Sequence, residues 1–97
     1  MRIVLWTEQA RSDLAAIRAF IGQDSHHYAS IVIAQLIAAT ERLITFPESG
    51  RAVPGFENPL VREIVRSPYR IVYRLVGTEQ IHVLAVHHGS RNFPSDL

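Results

Sequence analysis

The stretch that decides the fold is residues 69–76, YRIVYRLV, in which arginines and large apolar residues follow one another. Side chains alternate between the two faces of a β-strand, so the odd and even positions point in opposite directions. The odd set is Tyr69, Ile71, Tyr73 and Leu75, and it predicts a core face. The even set is Arg70, Val72, Arg74 and Val76. This second face is both apolar and cationic, unlike the polar outer face of an ordinary antiparallel sheet. We therefore interpret it as a docking surface.

Two more strands flank this stretch, which predicts a meander over about residues 60–66, 69–76 and 80–88. The turns are Ser67-Pro68 and Gly77 to Glu79. A three-residue second turn fixes the register and places Arg74 opposite His82 on the outer face. In this register the core face receives Ile81, Val83 and Ala85. The outer face receives Leu84, Val86 and His88.

The N-terminal half predicts one strand and a helical hairpin. A β-branched and aromatic run over residues 2–6 ends at Thr7, the expected N-cap of a first helix that closes at Gly22. Asp24 and Ser25 are the cap candidates of a second helix that runs to Phe46-Pro47. Residues 47–59 are rich in turn formers and predict one irregular loop. The expected fold is α+β in the order β-α-α-β-β-β, with the hairpin covering one face of an antiparallel sheet.

Composition limits the function classes. The 97 residues predict a single domain spanning 1–97, with a formal net charge of +1 and no cysteine. Neither a signal peptide nor a long apolar run is present, and we expect a soluble, cytoplasmic protein. No glycine-rich phosphate loop or acyl-transfer motif occurs, and the His26-His27 pair alone does not predict a metal site. We therefore expect no cofactor, metal, membrane or small-molecule substrate.

Short motifs, taken together with their order and spacing, give a family resemblance over nearly the whole chain. They are Trp6-Thr7-x-x-Ala10, Asp13-Leu14, Phe46-Pro47-x-x-Gly50-Arg51, Arg62-Glu63, residues 69–74 and His88-Gly89-Ser90-Arg91. Together they resemble the ParE/RelE superfamily of bacterial toxins. The resemblance implies the toxin of a type II toxin-antitoxin module, which is linked with plasmid stabilization and growth inhibition. It implies an antitoxin that wraps and neutralises the toxin, and that reads operator DNA for the complex.

The resemblance leaves two chemistries open. RelE-like members are ribosome-dependent mRNA endonucleases, and Arg70 and Arg91 match positions that resemble their catalytic arginines. In that case His87 or His88 would act as acid or base, since imidazole titrates near neutral pH. ParE-like members poison DNA gyrase and have no known nuclease activity. The chain lacks the C-terminal helix and the lysine run that RelE-like members carry, which favours the ParE-like reading. A third alternative is an inactive scaffold that keeps the fold and the partner groove.

Seven residues form the predicted surface for the antitoxin or the target. They are Arg62, Arg66, Arg70, Arg74, His82, Leu84 and Val86. Carboxylates of a partner would pair with the arginines while its apolar residues cover the rest. The competing interpretation is that Arg62, Arg66 and Arg74 are solvated or paired within the chain, with Glu63 and Glu79 as possible neighbours.

Overall fold

The computed structural model describes residues 1–89. The elements are β1 (Ile3–Trp6), α1 (Glu8–Gly22), α2 (His26–Glu41), a 3₁₀ turn (Arg42–Ile44), β2 (Arg51–Ala52), β3 (Val61–Arg66), β4 (Tyr69–Val76) and β5 (Gln80–His88). The strands form one sheet in the order β1-β5-β4-β3-β2. The pairs from β2 to β5 are antiparallel, whereas β1 joins β5 in parallel. The predicted α+β fold and its element order are confirmed, and the parallel edge strand makes the sheet mixed.

Both helices begin at the predicted caps. The Thr7 hydroxyl accepts a hydrogen bond from the Ala10 amide at 3.1 Å, and the Ser25 hydroxyl accepts one from the Tyr28 amide at 3.0 Å. Each bond satisfies an amide that has no partner within its own helix. Ser25 is therefore the cap of α2. That helix ends at Glu41, earlier than the proline predicts, because the chain tightens into the 3₁₀ turn.

The helical hairpin covers one face of the sheet, called here the helix face. Its core joins α1 and α2 to the central strands and consists of Ala10, Val32, Ile33, Leu36, Ala39, Ile71, Val83 and Val86. A second group beneath the 3₁₀ turn consists of Leu43, Tyr73 and Ile81. No helix within residues 1–89 has the length and apolarity needed to cross a membrane.

A bulge in β5 overturns part of the predicted register. Val72 lies opposite Ala85 and Tyr73 lies opposite Val83, so Leu84 is the extra residue. An inserted residue reverses the side-chain alternation beyond it. Val86 therefore packs in the helix-face core, and Ala85 turns to the outer face beside Val72. For this reason the predictions that Ala85 shares the core face with Ile71 and that Val86 and His88 lie on the outer face are wrong, although Ala85 is itself buried.

Two side chains from the start of α1 hold β5 where β1 no longer accompanies it. The last paired residue of β1 is Trp6, opposite Val83. Just beyond it the Thr7 hydroxyl donates to the Leu84 carbonyl at 3.2 Å, and an Asp13 carboxylate oxygen accepts from the Val86 amide at 2.9 Å. These bonds satisfy backbone groups of β5 that a longer β1 would otherwise pair.

The segment between helices and meander is only partly irregular. Arg51 and Ala52 form β2, opposite Glu63 and Arg62 of β3. The prediction of one irregular loop over residues 47–59 is wrong at this point. Two residues between Gly50 and Val53 carry no periodicity from which a strand is recognisable.

Candidate functional site

A buried carboxylate organises the outer face. The Glu63 side chain is 0% exposed, and one of its oxygens accepts from Arg70 Nε at 2.9 Å and Arg70 Nη2 at 2.7 Å. Its other oxygen accepts from Arg51 Nε at 2.7 Å. The three residues lie on the neighbouring strands β2, β3 and β4. Arg51 of β2 is opposite Glu63 of β3, and Arg70 of β4 shares the outer face with Glu63. We call this group the Glu63 cluster.

The two arginines of the Glu63 cluster differ in their surroundings. The Arg70 side chain is 19% exposed, and two of its three guanidinium nitrogens are bonded to Glu63. The Arg51 side chain is 62% exposed and bonds through one nitrogen. A buried carboxylate requires a compensating charge. Arg70 supplies most of that compensation, and Arg51 keeps much of its charge in contact with water.

Tyr73 and Gly50 anchor the loop beside this cluster. The Tyr73 hydroxyl donates to the Pro47 carbonyl at 2.8 Å and accepts from the Gly50 amide at 2.9 Å. Burial raises the pKa of the Tyr73 phenol, and the Gly50 hydrogen bond opposes that effect. A Cβ atom at Gly50 would lie 2.5 Å from the Tyr73 hydroxyl and 2.8 Å from the Glu63 carbonyl oxygen. The Phe46-Pro47-x-x-Gly50 motif therefore serves to dock this loop.

The chain's own loop covers the centre of the outer face. Val53 packs on Val61 and Val72 there, with Phe56 and Leu84 at the margin. Val72 is completely buried as a result. The prediction of a fully open docking face is wrong at its centre. The alternation of side chains along β4 predicts that Val72 points away from the helices. It carries no information that residues 53–56 fold back over Val72.

The structure divides the predicted binding arginines between the two faces. Register places Arg62 opposite Tyr73 and Arg66 opposite Tyr69, both on the helix face. Arg62 donates there to the carbonyls of Glu48 and Gly50. Arg70 and Arg74 lie on the outer face, where Arg74 is exposed and opposite His82 as predicted. Of the apolar members, Leu84 stays near this face, whereas Val86 is buried in the core.

The candidate catalytic residues are also separated. His87 lies opposite Arg70 on the neighbouring strand and shares its face. His88 lies opposite Tyr69 on the helix face, with the two ring centroids 5.9 Å apart in an edge-to-face arrangement. Arg91 lies outside the described residues. Within them, only His87 shares a face with a candidate catalytic arginine.

A hollow of about 640 Å³ opens between α2 and the turn joining β3 to β4. We call it the α2 hollow. Its lining includes the buried Val32 and Leu36 and the half-buried Tyr69. It also includes the exposed Arg42 and Arg66, and we call these two residues the wall of the hollow. Within residues 1–89 neither arginine has a carboxylate within 4.0 Å. Sequence reasoning listed Arg66 but missed Arg42, because only the packing of α2 on the β3–β4 turn brings the two together.

Known proteins resemble this chain in both sequence and fold. The family model for the ParE toxin of the type II toxin-antitoxin system parDE matches residues 4–93. Toxin RelE2 of Caulobacter vibrioides is 33% identical over 91 residues, covering 94% of this chain and 99% of that protein. A putative toxin, Y4kP, of Sinorhizobium fredii is 33% identical over 96 residues, covering 97% of this chain and 95% of that protein.

Among solved structures, the chromosomal ParDE system of P. aeruginosa contains a similar chain. It superposes with a TM-score of 0.71 at 24% identity, covering 91% of this chain and 96% of that one. This likeness shows the fold. The fold and the family match together place the chain in the class of small bacterial toxin domains, here a two-helix hairpin on a five-stranded sheet. The chain belongs to the ParE toxin family of type II toxin-antitoxin systems, as the family match over residues 4–93 shows.

Proposed function

We propose that the chain inhibits bacterial growth by poisoning DNA gyrase, and that its cognate antitoxin neutralises it by direct binding. In this proposal the toxin contacts operator DNA only through the antitoxin. The family match supports the toxin class. One structural observation supports gyrase over messenger RNA, namely the state of Arg70.

RNA cleavage through the 2′-hydroxyl needs free cations to stabilise the charge that develops on phosphorus. Arg70 is the described residue that the nuclease reading assigns to this task. Its guanidinium instead bonds twice to the buried Glu63 carboxylate, which offsets its charge. An arginine so engaged is suited to holding β3 and β4 together and poorly suited to a phosphorane. The Glu63 cluster therefore supports a toxin that acts by binding.

The RelE-like alternative has its own support. His87 lies opposite Arg70 on the outer face, which places an acid or base beside a cation. The relative from Caulobacter vibrioides also carries the name RelE2. Ribosome-dependent mRNA cleavage is thus the second candidate, and His87 rather than His88 would be its acid or base.

The α2 hollow is the surface we propose for the antitoxin. Its floor is apolar and its wall holds Arg42 and Arg66. An amphipathic segment with apolar anchors and flanking carboxylates fits such a groove, since each feature finds its complement. Arg74 and His82, exposed or half-buried on the outer face, remain for the target. Arg62 contributes by fixing the loop rather than by contact.

Two reactions run side by side test the target. Purified chain is added to gyrase with relaxed plasmid, and to translating ribosomes with a labelled message. We expect supercoiling to fail and cleaved plasmid to accumulate while the message stays intact. Cut message with normal supercoiling would overturn the gyrase proposal in favour of the RelE-like one. Normal results in both reactions, with undisturbed growth on expression, would identify the inactive scaffold.

The antitoxin proposal is tested by a charge reversal with a matched control. Arg66→Glu places a carboxylate in the wall of the α2 hollow and should weaken antitoxin binding by roughly tenfold or more. Arg18→Glu reverses an exposed charge elsewhere, on α1, and should leave the affinity unchanged. Equal affinities for all three proteins, measured by titration calorimetry, would exclude the hollow.

A further inference from the structure

A second hollow, with a volume of about 540 Å³, lies beside the 3₁₀ turn that follows α2. Its lining includes Arg2, Arg42, Phe46, Pro47 and Glu48. We call it the Phe46 hollow. Arg42 lines the α2 hollow as well, so the two hollows adjoin at this side chain and form one groove around the C-terminal end of α2.

Two hydrogen bonds fix the loop that follows Phe46. The Tyr73 hydroxyl donates to the Pro47 carbonyl at 2.8 Å, and the Arg62 guanidinium donates to the Glu48 carbonyl at 3.3 Å. Phe46 itself is 56% exposed. An aromatic ring presented beside a fixed loop loses little freedom on binding, so it is a suitable contact for the apolar side chains of a partner.

The charged side chains of the groove are mostly arginines without a carboxylate partner. They follow in the order Arg66, Arg42 and Arg2, since Arg66 lines the α2 hollow, Arg2 lines the Phe46 hollow and Arg42 lines both. All three are exposed, and within residues 1–89 none has a carboxylate oxygen within 4.0 Å. Among the described residues Glu48 is the one carboxylate in the two linings, so the groove has an excess of positive charge.

We propose that the antitoxin segment in the α2 hollow continues past Arg42 into the Phe46 hollow. Its apolar side chains cover Phe46, and its carboxylates pair with Arg42 and Arg2. This second subsite rests on the antitoxin surface proposed above and extends it. It does not depend on whether gyrase or messenger RNA is the target.

Charge identifies an acidic protein segment as the occupant. Carboxylates supply the charge that the three arginines lack, and apolar side chains supply the contact for the Phe46 ring. A nucleic acid is a weaker fit, because a net charge of +1 over the chain gives little attraction for a polyanion. A second copy of the chain is also a weaker fit, since it carries no excess of acidic residues.

Two arginines report on the two hollows separately. Arg66 lines the α2 hollow but not the Phe46 hollow, and for Arg2 the reverse holds. Titration calorimetry with purified cognate antitoxin measures both, on chain made by cell-free synthesis. We expect Arg2→Glu to weaken binding roughly tenfold or more, as Arg66→Glu does, and Arg18→Glu on α1 to leave the affinity unchanged.

Phe46 has its own matched variants. Phe46→Ser should weaken antitoxin binding roughly tenfold, whereas Phe20→Ser, at a 73% exposed position on α1, should not change it. Because a variant could also lower the affinity by misfolding, a second measurement uses the intact complex. A photoreactive benzophenone side chain in place of Phe46 should cross-link to an acidic peptide of the antitoxin, and the same group in place of Phe20 should not.

The outcomes distinguish the two hollows. Wild-type affinity for Arg2→Glu and Phe46→Ser, with Arg66→Glu weakened, would overturn the second subsite and leave the α2 hollow standing. Wild-type affinity for all three variants would overturn both. A benzophenone at position 46 that cross-links only to nucleic acid, or only to a second copy of the chain, would also overturn the second subsite.

Discussion

Removing Arg70 should destabilise the toxin far more than removing Arg51, although both bind the same carboxylate. Arg70→Ala removes two charge-assisted hydrogen bonds, of 2.9 and 2.7 Å, from a carboxylate that is 0% exposed. Arg51→Ala removes one bond of 2.7 Å from a guanidinium that is 62% exposed. Because the acceptor residue is the same, the comparison measures the combined effect of the deeper burial and the additional hydrogen bond of Arg70.

The expected free energies follow from these contacts. Breaking a buried ion pair by removing one partner costs about 3 to 5 kcal/mol. Arg51 still compensates Glu63 after Arg70→Ala, so we expect the lower end, about 3 kcal/mol. The mostly exposed Arg51 should contribute about 1 kcal/mol, near the upper limit for exposed pairs. For a domain of this size the unfolding midpoint should fall by about 12 to 24 °C in the first variant and about 4 to 8 °C in the second.

Urea denaturation followed by circular dichroism at neutral pH measures both variants, provided that the m-value is unchanged. The double variant Glu63→Met with Arg70→Met is the control for buried charge. Replacing a whole buried pair by apolar residues is often neutral, so it should be within about 1 kcal/mol of the wild type. Equal losses for Arg51→Ala and Arg70→Ala, or a double variant as unstable as Arg70→Ala, would refute the assignment of Arg70 as the main counter-charge.

The instability expected of Arg70→Ala also affects its toxicity. A loss of toxicity in Arg70→Ala is the standard sign of a catalytic arginine, but here it is expected from instability alone. The apolar double variant separates the two causes, since it removes the charge and keeps the fold. Retained toxicity in that variant would exclude Arg70 from catalysis, and loss of toxicity in a stable protein would show that the Arg70 charge acts directly, in catalysis or in contact with the target.

Three further predictions concern the loop and the bulge. Gly50→Ala should lower the free energy of unfolding by about 1 to 3 kcal/mol or more, because its Cβ overpacks the site. Gly22→Ala is the control, because its Cβ meets nothing closer than 3.5 Å, and it should be neutral or slightly stabilising. Equal effects of the two variants in urea titrations would contradict the docking role of Gly50. Tyr73 has a pKa raised above 10.0 by burial, so its stabilising effect is complete below pH 10 and is lost as the pH rises and the unfolded phenol ionises first. Unfolding measured from pH 8 to 11 should lose stability above pH 10 at a limiting slope of about 1.4 kcal/mol per unit from this group, and Tyr73→Phe should lack that component; unchanged slopes would disprove it. Asp13→Ala leaves the Val86 amide without its acceptor and should cost about 1 to 3 kcal/mol, whereas Asp13→Asn, which keeps an acceptor oxygen, should cost less; the reverse order in thermal unfolding would argue against the bond.

Most of the fold could be predicted from the sequence because its signals are local. The caps at Thr7 and Ser25 and the alternation over residues 69–76 fix the helix starts and the central strand within a residue or two. The bulge at Leu84 could not be predicted, since an extra residue in a run of valines, leucines and alanines leaves the hydrophobic pattern intact. The bonds that flank it come from outside the strand, from Thr7 to the Leu84 carbonyl and from the Val86 amide to Asp13, and they have no local signal in β5.

The candidate site was less predictable, because its properties depend on long-range pairing. Parity places Arg70 on the outer face, but its charge is offset only because β3 brings Glu63 beside it. The sequence offers Glu63 only as a possible neighbour of Arg62, Arg66 and Arg74, and nothing local identifies it as the partner of Arg70. The α2 hollow has no local signal, because Arg42 and Arg66 lie on different elements that meet only in the folded chain.

The position of the Glu63 cluster supports our proposal that partners bind at the margins of this sheet. Its centre is covered by Val53 and stabilised by a buried carboxylate, so a partner there would have to displace the loop and expose that charge. A partner over the α2 hollow would instead displace water from apolar side chains and pair its carboxylates with Arg42 and Arg66. The first route costs several kcal/mol before any contact is made, whereas the second begins with a gain. Arg70 is therefore held at the centre by Glu63, and this is why we place the proposed antitoxin surface at Arg42 and Arg66.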